Sequence, residues 1–134
     1  MIKQLSRQWW LPGLIALVVM FSACSSSKSA GGNSLLNNQQ FARKAAKENV
    51  ILLDVRTAEE YQTGHLKNAQ LLDYTNGDFT VQLPKLDLQK TYLLYCRSGK
   101  RSDKAASDMK AAGFKKVYQL KNGIIAWNGE LEKE

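Results

Sequence analysis

"TYLLYCRSGKRSDKAASDMKAAG", Thr91 to Gly113, is the stretch whose reading decides the fold. It opens with an apolar run, breaks at a cysteine, and passes through a short basic loop. From Arg101 onward Ala105, Ala106, Met109 and Ala112 share one helical face, and Gly113 provides the C-terminal stop. The segment therefore predicts strand, loop and helix, with Cys96 at the carboxyl end of the strand.

The same alternation extends in both directions. Downstream, "KVYQL" (Lys116 to Leu120) predicts another strand and "NGIIAWNGEL" a final short helix. Upstream, "VILLDV" (Val50 to Val55) is a continuous apolar run of the kind buried on both faces of a sheet. A helix follows it, begun by Thr57 with Glu60 three residues on, a capping-box pattern, and closed by Gly64. "AQLLDY" (Ala69 to Tyr74) predicts a further strand and "TNGDF" a turn-rich loop, with Pro84 limiting regularity beyond it. Before all of these, Phe41, Ala42, Ala45 and Ala46 recur at helical spacing up to the stop at Asn49. Strands alternating with helices predict an α/β fold, a small parallel sheet with helices on both faces.

The chain has 134 residues, room for one domain with something appended. The appendage is at the start: Lys3 and Arg7, then "WWLPGLIALVVMF", then "SAC". Trp9 to Ala23 is 15 residues long and contains Pro12 and Gly13, short of the roughly 20 apolar residues that span a bilayer. An export signal over residues 1–23 is therefore expected, with an uncleaved anchor as the alternative. "FSAC" resembles the lipobox of bacterial lipoproteins, with Phe21 where Leu is usual. That resemblance implies cleavage before Cys24, lipidation of Cys24, and a membrane anchor of several acyl chains, each CH₂ contributing about 0.8 kcal/mol. Ser25 next to it points to the outer membrane. The expected setting is the bacterial cell envelope, on the periplasmic side of the outer membrane. Residues 24–39, rich in Ser, Gly and Asn, are expected to be a flexible tether to a domain over 40–134.

Removing residues 1–23 takes away Lys3 and Arg7 and no acid, lowering the formal charge from +7 to +5. Nucleic-acid binding does not fit an exported protein; attraction to small anions does. Of the two cysteines, lipidation would take Cys24 and leave Cys96 with no partner in the chain. A lone thiol kept in an oxidising compartment suggests use.

Sites in open α/β sheets form beyond the carboxyl ends of strands, where loops lead into helix N-termini. Cys96 stands there. Main-chain N–H groups of residues 97–101, the helix dipole, and the cations Arg97, Lys100 and Arg101 are all expected to favour its thiolate. Gly99 would let the loop fold around its own sulfur. A purely structural cysteine fits less well, because cations in a first helical turn oppose the dipole unless an anion sits there. The one histidine, His65, lies after a different helix; it is read as ordering a turn, with a Cys-His dyad as the alternative.

"ILLDVRTAEEYQTGHLKNAQLL", "YLLYCRSGKRS" and "GFKKVYQLKNGIIAW" together resemble the successive signatures of a single-domain rhodanese, over Gln40 to Leu131. The resemblance implies a sulfurtransferase in which Cys96 takes a sulfane sulfur from a small anionic donor such as thiosulfate and passes it to a thiol or cyanide. The reaction would be two displacements through a persulfide, without metal or organic cofactor. Arg97, Ser98, Gly99, Lys100 and Arg101 would bind the donor and hold the persulfide, and the protein would act as a monomer. Asp54, Arg56 and Glu59 are assigned to scaffold, with a direct substrate role for Arg56 as the alternative, and Trp127 to core packing in the last helix, with a place in the pocket wall as the alternative. Asn122, where the family usually has glycine, tolerates a left-handed turn. Tyr74 and Phe79 either line the pocket mouth or belong to a surface turn. Two other readings stand beside this one. A cysteine phosphatase or arsenate reductase would use a similar loop, although only four residues separate Cys96 from Arg101. A binding module could carry the persulfide without turnover.

Overall fold

The computed structural model describes residues 34–133, so the expected signal segment, Cys24 and the first part of the expected tether lie outside the described residues. Five strands form one parallel sheet in the order β1-β5-β4-β2-β3. They are β1 (Ser34–Leu36), β2 (Val50–Asp54), β3 (Gln70–Leu71), β4 (Thr91–Tyr95) and β5 (Val117–Leu120). Helices α1 (Asn38–Ala45), α2 (Ala58–Thr63), α3 (Asp78–Gln82) and α4 (Lys100–Ala111) connect them. This is the α/β fold that the sequence predicts, a small parallel sheet with helices on both faces.

The central strands pair over their full length, Val50 against Thr91 through Asp54 against Tyr95. Their side chains alternate between two cores, as a pleated sheet requires. On one face Leu53, Val55, Tyr92, Leu94 and Cys96 pack with Ala105, Ala106 and Met109 of α4 and Phe79 of α3. On the other, Leu52, Leu93 and Tyr95 pack with Phe41 of α1, Leu66 and Ala69. Cys96 thus continues the alternation of β4 onto the face covered by α4.

Local chemistry sets the helix starts. Asn37 and Gln40 cap α1 reciprocally, and Thr57 and Glu60 do the same for α2. Asn49, Asn68 and Asn122 occupy left-handed turns, the conformation that asparagine tolerates best among residues with a Cβ.

Four expectations need correction. Ser34–Leu36, read as tether, forms an edge strand in register with Tyr118–Leu120, so the domain begins before residue 40. Three residues are too few to show a period, and only their partner strand defines them. "AQLLDY" yields just Gln70–Leu71, because Asp73 Oδ1 bends the chain by accepting from Thr75 N (2.7 Å), Thr75 Oγ1 (2.6 Å) and Asn76 N (3.3 Å). The loop "TNGDF" runs into α3, which ends in a 3₁₀ turn at Leu83–Lys85. The last helix is only a 3₁₀ turn, Ile124–Ala126. Trp127 follows that turn and packs edge-on against Phe41, ring centroids 6.2 Å apart.

Candidate active site

Cys96 Sγ is built into a cradle of main-chain donors. Gly99 N–H donates to it at 3.1 Å and Ser102 N–H at 3.5 Å. The thiol lies 3.6 Å from Ser102 Oγ, and the Ser102 hydroxyl donates to Gly99 O at 3.0 Å. Burial is the largest single influence on the thiol and works against ionisation. Hydrogen bonding to the Ser102 N–H and hydroxyl, the Gly99 N–H and the Ser98 N–H together outweighs it, so the thiol is more acidic than an ordinary cysteine. The residue is 1% exposed, so the sulfur lies beneath the loop with Arg97 and Ser98 exposed above it.

Why do these amides face inward? Gly99 has φ 105°, which turns the loop back over the sulfur just before α4 begins. The second reason lies after β5. Ile124 N–H donates to Cys96 O at 2.8 Å and Ile125 N–H to Arg97 O at 3.2 Å. In a trans peptide the carbonyl and the following N–H point opposite ways. Holding the Cys96 and Arg97 carbonyls toward residues 124 and 125 therefore turns the N–H groups of Arg97 and Ser98 the other way. Gly123 makes this docking possible: a Cβ there would stand 2.3 Å from Arg97 O. Asn122, left-handed at φ 63°, leads the chain in.

The cations divide into two groups. Arg101 forms a two-pronged pair with Glu60, Nη1 to Oε2 at 2.6 Å and Nη2 to Oε1 at 2.8 Å, and lies close enough to Cys96 to feel its charge. Arg101 holds the Glu60 carboxyl down to about 2, assisted by the Thr57 N–H and against partial burial. The guanidinium expected to attract the donor is thus also the partner of the α2 capping residue. Arg97 and Lys100 are exposed and form no ion pair among the described residues.

At the end of β2, Asp54 and Arg56 form a buried pair, Oδ2 to Nη2 at 2.6 Å, and Arg56 also donates to Gly64 O at 2.8 Å. Burial works against the guanidinium's charge, but Asp54 raises its basicity on balance. Tyr95, its hydroxyl shielded by burial and facing Asp54, is pushed well above the ordinary phenol range. Asp54 and Arg56 thus fit the scaffold role read from the sequence. Glu59 does not: it is exposed, and its neighbour Glu60 makes the tie. His65 Nδ1 lies 3.1 Å from Tyr61 O, and its ring stacks on Tyr61 at 3.8 Å. Its main chain bridges to Glu132, so it orders a turn and forms no dyad with Cys96.

Tyr74, Thr75, Lys100, Arg101 and Lys104 line a hollow of about 280 Å³ beside the first turns of α4. Phe79 is instead fully buried. Sequence reasoning missed Ser102, one residue past the expected loop, although any helix start exposes N–H groups through its first turn. It also missed Glu60 as the partner of Arg101, and the Gly123–Ile125 clamp. For the clamp, the glycine in "LKNG" was the available signal.

A rhodanese-like domain model matches residues 37–130. The chain is 37% identical over 94 residues to a tRNA uridine(34) hydroxylase of Cytophaga hutchinsonii, covering 68% of this chain and 30% of that protein. It is 35% identical over 83 residues to the probable adenylyltransferase/sulfurtransferase MoeZ of Mycobacterium tuberculosis, covering 62% of this chain and 21% of that protein. The chain spans only about a fifth to a third of the length of these curated relatives. A rhodanese-like domain protein of Staphylococcus aureus superposes with a TM-score of 0.66 at 26% identity, over 77% of this chain and 99% of that one. With its sheet order, its cysteine loop at the end of β4 and a family match over most of its length, this chain belongs to the rhodanese-like domain family.

Proposed function

We propose that the protein is a sulfurtransferase that moves a sulfane sulfur from thiosulfate or a similar small anion to a thiol or cyanide, through a persulfide on Cys96. One observation carries this reading: the Cys96 sulfur accepts N–H bonds from Gly99 and Ser102 while buried away from water. Such a cradle stabilises negative charge on sulfur and acts most strongly where water is excluded.

The chemistry follows from that geometry. The Cys96 thiolate attacks the sulfane sulfur of thiosulfate; the Sγ–S bond forms as the donor's S–S bond breaks, and sulfite leaves with the electron pair. An acceptor thiolate or cyanide then attacks the outer sulfur, and the Sγ–S electron pair returns to Cys96. The amides that favoured the thiolate at the start stabilise it again as leaving group. Burial beneath the loop also shields the thiol from oxidants outside the cytoplasm.

Neither step needs a metal or organic cofactor. Action as a monomer is part of the proposal. The tRNA chemistry in the hydroxylase's name belongs to that longer protein, and no nucleic-acid partner is proposed for this one. Export is part of the proposal: residues 1–23 as signal, Cys24 as lipidated N-terminus, and anchoring at the periplasmic face of the outer membrane. Loss of labelled palmitate from Cys24→Ala would support the anchor, and retention would overturn it.

The decisive assay pairs thiosulfate with cyanide and, separately, offers an aryl phosphate. Thiocyanate formation with ping-pong kinetics, abolished in Cys96→Ala, is expected. Phosphate release that depends on Cys96 without thiocyanate would instead make the protein a phosphatase. Gain of one sulfur on Cys96 with no transfer to any acceptor would make it a binding module.

A further inference from the structure

A second hollow, of about 180 Å³, opens on the face of the sheet opposite α4 and Cys96. Its floor is Leu52 and Leu66, which belong to the core that Phe41 of α1 covers. Ala42 and Ala45 of α1 line it too, and their short side chains leave the space unfilled. Trp127, only half-buried, completes the apolar lining. Its indole is held in place: Nε1 donates to Glu130 O at 3.4 Å, and a Cβ on Gly129 would stand 2.8 Å from the ring. The hollow is bordered by two charged residues, Lys67 and Glu130, both exposed. They do not pair with each other, and neither forms an ion pair among the described residues.

We infer that this hollow is a binding site for a small apolar zwitterion, an α-amino acid with a side chain the size of leucine's. Size sets the scale. About 180 Å³ is the share of roughly six waters, below the roughly 300 Å³ at which sites for drug-sized ligands begin. Charge sets the class. A fatty acid would bring its carboxylate to Glu130, and an alkyl amine its ammonium to Lys67, so each would meet a like charge. An amino acid answers both, its carboxylate toward Lys67 and its ammonium toward Glu130, with the side chain over Leu52, Leu66 and Trp127. Burial of that side chain supplies the attraction, and the two exposed contacts orient the ligand. The site involves no sulfur chemistry and does not depend on the reading of Cys96.

The test titrates the full chain with L-leucine by isothermal titration calorimetry, beside glycine, leucinamide and 4-methylpentanoate. Saturable binding of leucine is expected, with a Kd on the order of 1 mM, within reach of a ligand this small. Glycine, lacking the side chain, should bind about tenfold more weakly or worse. Lys67→Ala should weaken leucine about threefold and leave leucinamide, which has no carboxylate, unchanged. Glu130→Ala should do the same to leucine and leave 4-methylpentanoate, which has no ammonium, unchanged. Ala42→Leu fills the hollow from a helical position that suits leucine and should abolish binding, with the urea midpoint as the check on folding. Leucine should still bind to Cys96→Ala. No saturable binding of leucine, equal affinity for glycine, binding retained in Ala42→Leu, no effect of either charge variant, or binding lost in Cys96→Ala would overturn the site. None of these results would bear on sulfur transfer.

Discussion

Strands β4 and β2 end side by side, and each end buries a polar group, but the two ends are built for opposite purposes. At β2 the Asp54 carboxylate meets the Arg56 guanidinium, so charge is matched by charge and nothing is left over. At β4 the Cys96 sulfur is hydrogen-bonded by neutral groups, the N–H groups of Ser98, Gly99 and Ser102 and the Ser102 hydroxyl. Neutral dipoles can favour an anion without forming the tight ion pair that would hold it in place. A buried ion pair is a fixture, whereas a sulfur held by amides is free to bond another atom and give it up again. Arg101 repeats the lesson: paired with Glu60, it belongs with the fixtures.

The comparison predicts that damage at β2 shows as lost stability and damage at β4 as lost chemistry. Arg56→Ala leaves a buried carboxylate without its partner and should cost about 3–5 kcal/mol, read as a fall in urea midpoint. Transfer per folded molecule should change little, and a selective loss of activity would break the distinction. Gly123→Ala drives a Cβ into Arg97 O and must displace the clamp behind the cradle. Transfer should drop about 10²-fold or more, as when one donor to a developing anion is lost, with a smaller loss of stability.

Glu60→Gln tests Arg101. The folded carboxyl ionises at about 2, below its ordinary 4.5. The pair therefore stabilises the fold fully above pH 4.5, and that contribution is lost as pH falls from 4.5 toward 2. In the variant this part of the acid dependence should disappear, with a loss of about 1 kcal/mol at neutral pH because both groups are partly exposed. Ser102→Ala is the mildest case. It removes the hydroxyl but keeps the N–H donor, so the pH midpoint of Cys96 alkylation should rise by less than about one unit. An unchanged midpoint would leave the amides alone responsible for the acidity.

Much of this was legible in the residues. The runs "VILLDV" and "TYLLYC" mark the two central strands because a strand buried on both faces needs unbroken apolar sequence. The capping residues mark α2, and the position of Cys96 before a helix start marks the site. What stayed hidden was whatever depends on a distant partner. Ser34–Leu36 is a strand only because β5 lies beside it, and the last segment is a turn where its pattern suggested a helix.

The sequence by itself determined the α/β order, the place of Cys96 at the end of a strand and the left-handed turns at Asn122 and Gly99, because local backbone preference and apolar periodicity act within a few residues. Tertiary structure alone decided which charges are free. Arg101 is held by Glu60, 41 positions away along the chain, and the Asp108 carboxylate accepts the Tyr74 hydroxyl, 34 positions away. Pairing energies fall off over a few ångströms, so the charge a site presents depends on neighbours that only folding brings together.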